Sequence, residues 1–212
     1  MKSKPVFVLL AGGKSERMGV AKGLLKFKKT FWILEQIQRI SKTDVSEVYI
    51  GLGYNYQHYF DAIYWFEKAT KKTYVFHGLN INIVLNKTPE LGSFSTLQVV
   101  LEQIPTNSDI LINPIDVPLL KTEELQKILD KKSMIVIPNF NKKNGHPIKF
   151  KYKFWEQLMN LNPSHNKARL DIQIKNQNSK DISYITVNDA SILENLNTPR
   201  DWKVFLKKNM IR

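Results

Sequence analysis

Five short runs rich in valine, isoleucine and leucine recur along this chain, each apolar at consecutive positions: "VFVLLAG" (6–12), "EVYIGLG" (47–53), "INIVLN" (81–86), "DILINPID" (109–116) and "SMIVIPNF" (133–140). A strand with one wet face alternates apolar and polar residues, so a run that stays apolar needs cover on both faces. The segments between the runs can supply that cover. "FWILEQIQRIS", "HYFDAIYWFEKAT", "FSTLQVVLEQI" and "TEELQKILDKK" carry apolar residues at helical spacing, and the last opens with a capping residue and acids after Lys121, at Thr122-Glu123-Glu124. Strand–helix alternation of this kind predicts an α/β fold, a mostly parallel twisted sheet with helices on both sides. In such sheets ligands sit outside the carboxyl ends of the strands.

After Phe140 the rhythm changes. "NKKNGHPIKF" reads as a turn into an edge strand, "YKFWEQLMNL" as a helix, "DISYITVND" as a late strand, and "TPRDWKVFLKK" as a closing helix with Pro199 in its first turn. With no internal repeat, low-complexity tract or Pro/Gly-rich linker, residues 1–212 are expected to form a single domain.

Composition narrows the chemistry. The chain has no cysteine, which excludes disulfides, thiolate metal sites and a cysteine nucleophile. "MKSKPVFVLLAGG" has too short an apolar run for a secretory leader, and no stretch approaches the ~20 residues of a membrane span, so a cytoplasmic location without membrane partners is expected. Lys and Arg number 32 against 19 Asp and Glu, a formal net charge of +13. An anionic partner is one reading of that charge. However, "KATKK", "FNKKNGH" and "FLKKN" are short and dispersed, without interleaved aromatics on a basic helix, so most of these lysines are expected to be solvated and nucleic acid is not expected as a partner.

The lysines of "LLAGGKSERMGVAKGLL" (9–25) are the exception, because they crowd a glycine loop directly after the first strand. The P-loop pattern needs a glycine where Val8 stands, and Gly12, Gly13 and Gly19 have the wrong spacing for a dinucleotide fingerprint. What remains is a glycine pair that lets backbone N–H groups approach phosphate oxygens, with Arg17 and Lys22 able to neutralise the same anion. A plain strand-to-helix turn with solvated lysines fits the pattern equally well. Asp116 is open to two readings in the same way: a magnesium ligand at a strand end, or a turn aspartate.

The same stretch resembles the signature L-A-[AG]-G-x-S-x-R-M-G-x-x-K-x-L-L, which opens nucleotidyltransferases of the molybdenum-cofactor cytidylyltransferase and guanylyltransferase group, from Leu10 to Leu25. Further segments resemble that family in its own order. "NKTPELGSFSTLQVVL" (86–101) is similar to its N…G-M-x-S-S-L segment, with Ser93 where the family has methionine, and "INPIDVPLL" (112–120) to its P-x-D-x-P-L-L. "NGHPIKF" (144–150) is similar to G-H-P-[VI]-x-F of the cytidylyltransferase-like branch, and "ENLNTPRDW" (194–202) to D-I-D-T-P-E-D.

The resemblance implies a three-layer α/β/α fold with a Rossmann-like nucleotide-binding half, like that of the nucleotide-diphospho-sugar transferases. It also implies attack by an acceptor phosphate on the α-phosphorus of a nucleoside triphosphate, CTP favoured, with Mg²⁺ as cofactor and pyrophosphate released. Leu10, Ala11, Gly12, Gly13, Asn86, Gly92 and Ser95 would bind the nucleotide, Arg17 would hold the β- and γ-phosphates, and Lys22 would stabilise charge near the α-phosphate. Gly145, His146 and Pro147 would line the acceptor side, with His146 a contact and not a base. Asp116 would bind metal. Asn195 and Asn197 stand where the family has aspartates and would complete the metal site, with Glu194 a nearby carboxylate; alternatively they form a turn before the last helix. The acceptor is expected to be the molybdopterin cofactor or a small phosphorylated metabolite. Guanylyl transfer, activation of a sugar or surface-polymer precursor phosphate, and non-catalytic nucleotide binding are the alternatives. The aromatic segment 53–78 is expected to bury its rings, to form a dimer surface or to shape the acceptor pocket, and the protein to be a monomer or homodimer.

Overall fold

The computed structural model describes residues 4–210. Its centre is β1 (Val6–Leu10), in which Phe7 and Leu9 enter one hydrophobic core while Val6 and Val8 enter another on the opposite face. This is the two-residue period of a strand covered on both sides.

A short ribbon, β2 (Lys26–Phe27) and β3 (Thr30–Phe31), leads into α1 (Trp32–Ile40). There follow β4 (Glu47–Leu52), α2 (Tyr56–Ala62), β5 (Tyr74–Phe76), β6 (Leu79–Leu85), α3 (Ser93–Leu101), β7 (Ile110–Pro114) and α4 (Thr122–Asp130). The later part comprises β8 (Ile135–Phe140), β9 (Lys143–Asn144), β10 (Ile148–Phe150), α5 (Tyr152–Leu158), α6 (Leu170–Lys175), β11 (Ile182–Thr186) and α7 (Pro199–Met210).

The main sheet runs β11-β8-β10-β7-β1-β4-β6-β5, with β9 paired to β8. β7, β1, β4 and β6 are parallel neighbours, as are β8 and β11, while β10 lies antiparallel between β7 and β8. α3 and α5 pack in the core containing Val6 and Val8, and α1, α4 and α7 in the other, giving the expected α/β layering.

Three local expectations are corrected. "PIKF" forms an interior strand, not an edge; the edges are β5 and β11. Lys149 in this strand is only 4% exposed because its ammonium donates to the carbonyls of Leu129 (2.6 Å) and Lys131 (2.9 Å) at the end of α4, with Asp109 at 3.5 Å. Second, the helix expected across 58–70 ends at Ala62, and the chain doubles back through turns into β5. Its rings pack on one another: Trp65 stacks on Tyr74 at 4.6 Å, and Tyr59 on Phe66 at 6.1 Å. Third, α4 has Lys121 at its N-cap and no side-chain cap; the Glu124 carboxylate instead accepts the Asn188 N–H at 3.0 Å.

An aromatic cluster draws the end of the chain back to its beginning. Phe27 of the ribbon, Trp32 of α1, and Trp202 and Phe205 of α7 lie with ring centroids 5.1 to 6.3 Å apart, in edge and tilted contacts except for the stacked pair Trp202–Phe205. The Trp32 indole N–H donates to the Ile115 carbonyl just after β7, tying the cluster to that strand exit.

Candidate active site

A cleft of about 1080 Å³ opens at the carboxyl ends of β1 and β7. One wall is the chain leaving β1, Leu10 to Ser15. At Gly12 a side chain would collide with Thr96 of α3 and the Gly53 backbone, within 3.1 Å, whereas Gly13 has no neighbour within 4 Å of where a Cβ would stand. The first glycine lets the loop pack closely on α3, and the second leaves bare backbone facing open space, where an anion can approach.

Lys22 lies on the turn that follows. Its backbone N–H donates to Ser15 Oγ (3.3 Å), and the next N–H, of Gly23, donates to the wholly buried hydroxyl of Tyr59 (3.2 Å). Burial raises the pKa of that phenol, so it stays neutral. From this fixed base the Lys22 ammonium reaches Asp116 Oδ2 at 2.8 Å and Asn197 Oδ1 at 2.5 Å.

Each of those acceptors is separately held. The carbonyl of Asp116 accepts the Leu196 N–H (2.8 Å), joining the β7 exit to the segment before α7. The backbone N–H groups of Asn197 and Thr198 donate to Asp201 Oδ2 (3.2 and 2.8 Å), while the Asp201 N–H donates to Thr198 Oγ1 (3.2 Å). This reciprocal cap fixes Asn197, and the hydrogen bonds from Thr198 hold the Asp201 carboxyl below its ordinary pKa. Its signature, Thr198-x-x-Asp201, is readable in the sequence but was not used there.

The metal reading can be tested on this geometry. Among the described residues no group of three or more His, Cys, Asp or Glu could hold a metal ion. The Asp116 carboxylate and the Asn197 amide oxygen nevertheless converge on one positive charge, the Lys22 ammonium. One carboxylate and one amide oxygen, completed by phosphate oxygens and water, fit a magnesium-type cation, which rarely takes an all-protein cage. Asn195 also lines the cleft, but it is exposed and its amide nitrogen donates to the Leu193 carbonyl at 3.4 Å. Glu194 pairs with Lys208 at 2.8 Å.

His146 also lines the cleft, near enough to Asp116 to feel its charge. Burial pushes its pKa down to about 4 against an upward pull from Asp116, so the ring is neutral at pH 7.

Of the residues named from the sequence, Leu10, Ala11, Gly12, Gly13, Lys22, Gly92, Asp116, His146 and Asn195 line the cleft. Others do not. Arg17 is exposed on the turn Glu16–Met18 and acts electrostatically on Asp201. Asn86 is buried, donating to Ser95 Oγ (2.9 Å) and Thr96 Oγ1 (3.0 Å) and accepting from the Thr88 N–H (2.9 Å), so it braces the start of α3. Ser95 is buried and donates to the Gly92 carbonyl (2.8 Å). Gly145 and Pro147 are buried beside His146, and a side chain at Gly145 would strike the Ile192 carbonyl. Sequence reasoning missed Tyr54, His165, Arg169 and Asp171, which line the cleft together with Lys14 and Thr96. Apart from Tyr54, the aromatic segment contributes nothing to the cleft lining.

Comparison with known proteins places this geometry in context. A family model described as MobA-like NTP transferase domain matches residues 7–177. No curated protein matches the chain. Among solved structures, Rv0371c from Mycobacterium tuberculosis H37Rv in complex with manganese superposes with a TM-score of 0.71 at 17% identity, covering 97% of this chain and 99% of that one. A nucleotidyl transferase from Methanothermobacter thermautotroptrophicus, Mth528, gives a TM-score of 0.74 at 15% identity, covering 97% of each chain. The 4-diphosphocytidyl-2C-methyl-D-erythritol synthase of Anaerococcus prevotii DSM 20548 gives 0.68 at 14%, covering 98% of this chain and 96% of that one. At these identities the likeness concerns the fold.

Proposed function

This chain belongs to the MobA-like NTP transferase family, and from that premise we propose that it transfers CMP from CTP to a phosphate-bearing acceptor with Mg²⁺ as cofactor. The observation that carries the proposal is the pairing of Lys22 and Asp116 at a cleft whose near wall is bare glycine-loop backbone, with Asn197 Oδ1 accepting from the same ammonium. A lysine, a lone carboxylate and an amide oxygen with open N–H groups beside them form a receptor for a metal-bound triphosphate. They lack the nucleophile and base pair of a hydrolase.

In the proposed reaction an acceptor phosphate oxygen bonds to the α-phosphorus and the α–β anhydride bond breaks, so pyrophosphate leaves with the electron pair. The backbone from Ala11 to Gly13 orients the triphosphate, and Lys22 supplies fixed positive charge where charge accumulates on the α-phosphate. Asp116, with Asn197 or Asn195, would hold the divalent cation, which would supply positive charge against the mutual repulsion of the phosphates. His146, neutral, gives the acceptor a hydrogen-bonding contact without adding charge beside Asp116. Arg17 would have to swing from its exposed turn to reach the outer phosphates. The structural relative named for a diphosphocytidyl product and the one bound to manganese support the choice of CTP and of a divalent cation.

The deciding experiment pairs each nucleoside triphosphate with molybdopterin and a panel of phosphorylated metabolites and reads pyrophosphate. CTP is expected to support release with one acceptor, and Asp116→Asn to abolish most of it. Equal turnover with GTP would remove the cytidylyl assignment; release from no triphosphate would remove the reaction.

A further inference from the structure

Lys22 stands where the cation of the proposed reaction belongs. Its ammonium contacts both Asp116 Oδ2 (2.8 Å) and Asn197 Oδ1 (2.5 Å), and the two charged side chains are only 14% and 22% exposed. Partly withdrawn from water, such a charge-assisted pair is stronger than a surface ion pair. The other charged residues of the cleft, Lys14, Glu90, Arg169 and Asp171, make no ion pair with Lys22 or Asp116. Glu194 is engaged by Lys208, His146 is neutral, and no further acidic side chain joins Asp116 in a metal-binding cluster among the described residues.

We propose that Lys22 is the resident counter-ion of the metal position, and that an incoming triphosphate must draw it away before a divalent cation can bind Asp116 and Asn197. The proposal rests on the reading of Asp116 as a metal ligand. Charge counting supports it. Asp116 with Lys22 is neutral; adding a divalent cation beside the ammonium leaves two uncompensated positive charges in a half-dry site. A triphosphate brings three to four negative charges, enough to hold both cations apart on different oxygens. The lysine is also built to move. Its backbone is pinned by Ser15 Oγ and, one residue on, by the Tyr59 hydroxyl, so its four-carbon stem can swing towards the open backbone at Gly13 without disturbing the loop. Nucleotide and metal therefore favour each other's binding, by the same factor in both directions. Metal alone binds weakly.

The test is Mn²⁺ binding to the whole protein, read by electron paramagnetic resonance of free Mn²⁺, without nucleotide. The wild type is expected to bind weakly, and Lys22→Met, which keeps the volume and removes the charge, at least tenfold more tightly. Lys22→Arg, which keeps the charge, should stay within a few-fold of the wild type. A Lys22→Met protein that melts cooperatively yet binds Mn²⁺ no better than the wild type overturns the proposal alone.

A second measurement needs no variant. A CTP analogue with a methylene in place of the α–β bridging oxygen should tighten Mn²⁺ binding by the wild type at least tenfold, after subtracting the complex the analogue forms by itself. Absence of that coupling also overturns the proposal. If Asp116→Asn binds Mn²⁺ as well as the wild type in the presence of the analogue, the metal reading fails as well.

Discussion

His146 feels two influences of opposite sign, and burial is the stronger. Its pKa falls from 6.5 to about 4, so the folded protein resists taking up a proton that the unfolded chain accepts readily. The sign follows by linkage: stability from this residue is complete above about pH 6.5 and falls as the pH drops towards 4, by at most about 3 kcal/mol. His146→Asn should flatten that part of the stability profile relative to the wild type in urea melts at pH 7 and pH 4.5. Parallel profiles would show that the ring is not held neutral. At this scale Lys22 and Asp116 were legible only through the family resemblance, since pattern and spacing left each open to a plainer reading. The choice between Asn195 and Asn197 was not, since both stand in one turn and the cap made by Thr198 and Asp201 aims only Asn197 at the lysine. Asn86 and Ser95 illustrate a different limit. Polar residues at a strand exit look like ligand contacts until their hydrogen bonds are traced, and here they are spent on one another.

At the scale of elements, the five apolar runs all became strands, because a run covered on both faces carries its own evidence. β10 and α2 were misread because their context decides them: a buried lysine satisfied by carbonyls, and aromatic residues that stack better in a reversed chain than along one helix. α2 still reaches the site through one atom, the Tyr59 hydroxyl that receives the Gly23 N–H. Tyr59→Phe keeps the ring and leaves that buried donor unpaired, which should cost about 1–3 kcal/mol in chemical denaturation. Because Gly23 adjoins Lys22, kcat should fall several-fold while the KM for nucleotide changes little. A stability loss with kcat unchanged would confine Tyr59 to packing.

Across the whole molecule the charge of +13 is large, yet the cations near the cleft are few: Lys14, Lys22 and Arg169. Lys14 pairs with Glu16 and Arg169 with Asp171, both in exposed positions, and Lys22 with Asp116. Retention of a random oligonucleotide should therefore vanish by about 0.15 M salt, whereas a thermal shift with CTP and Mg²⁺ should survive it, because exposed charges are screened over about 8 Å while a half-buried site is screened much less. An oligonucleotide that stays bound at that salt would restore nucleic acid as a partner. Lys22 and Asn197, hydrogen-bonded in the folded protein, are 175 positions apart in the chain. The lysine leaves the ribosome well before the asparagine, so the pair forms only once the segment leading into α7 has been made.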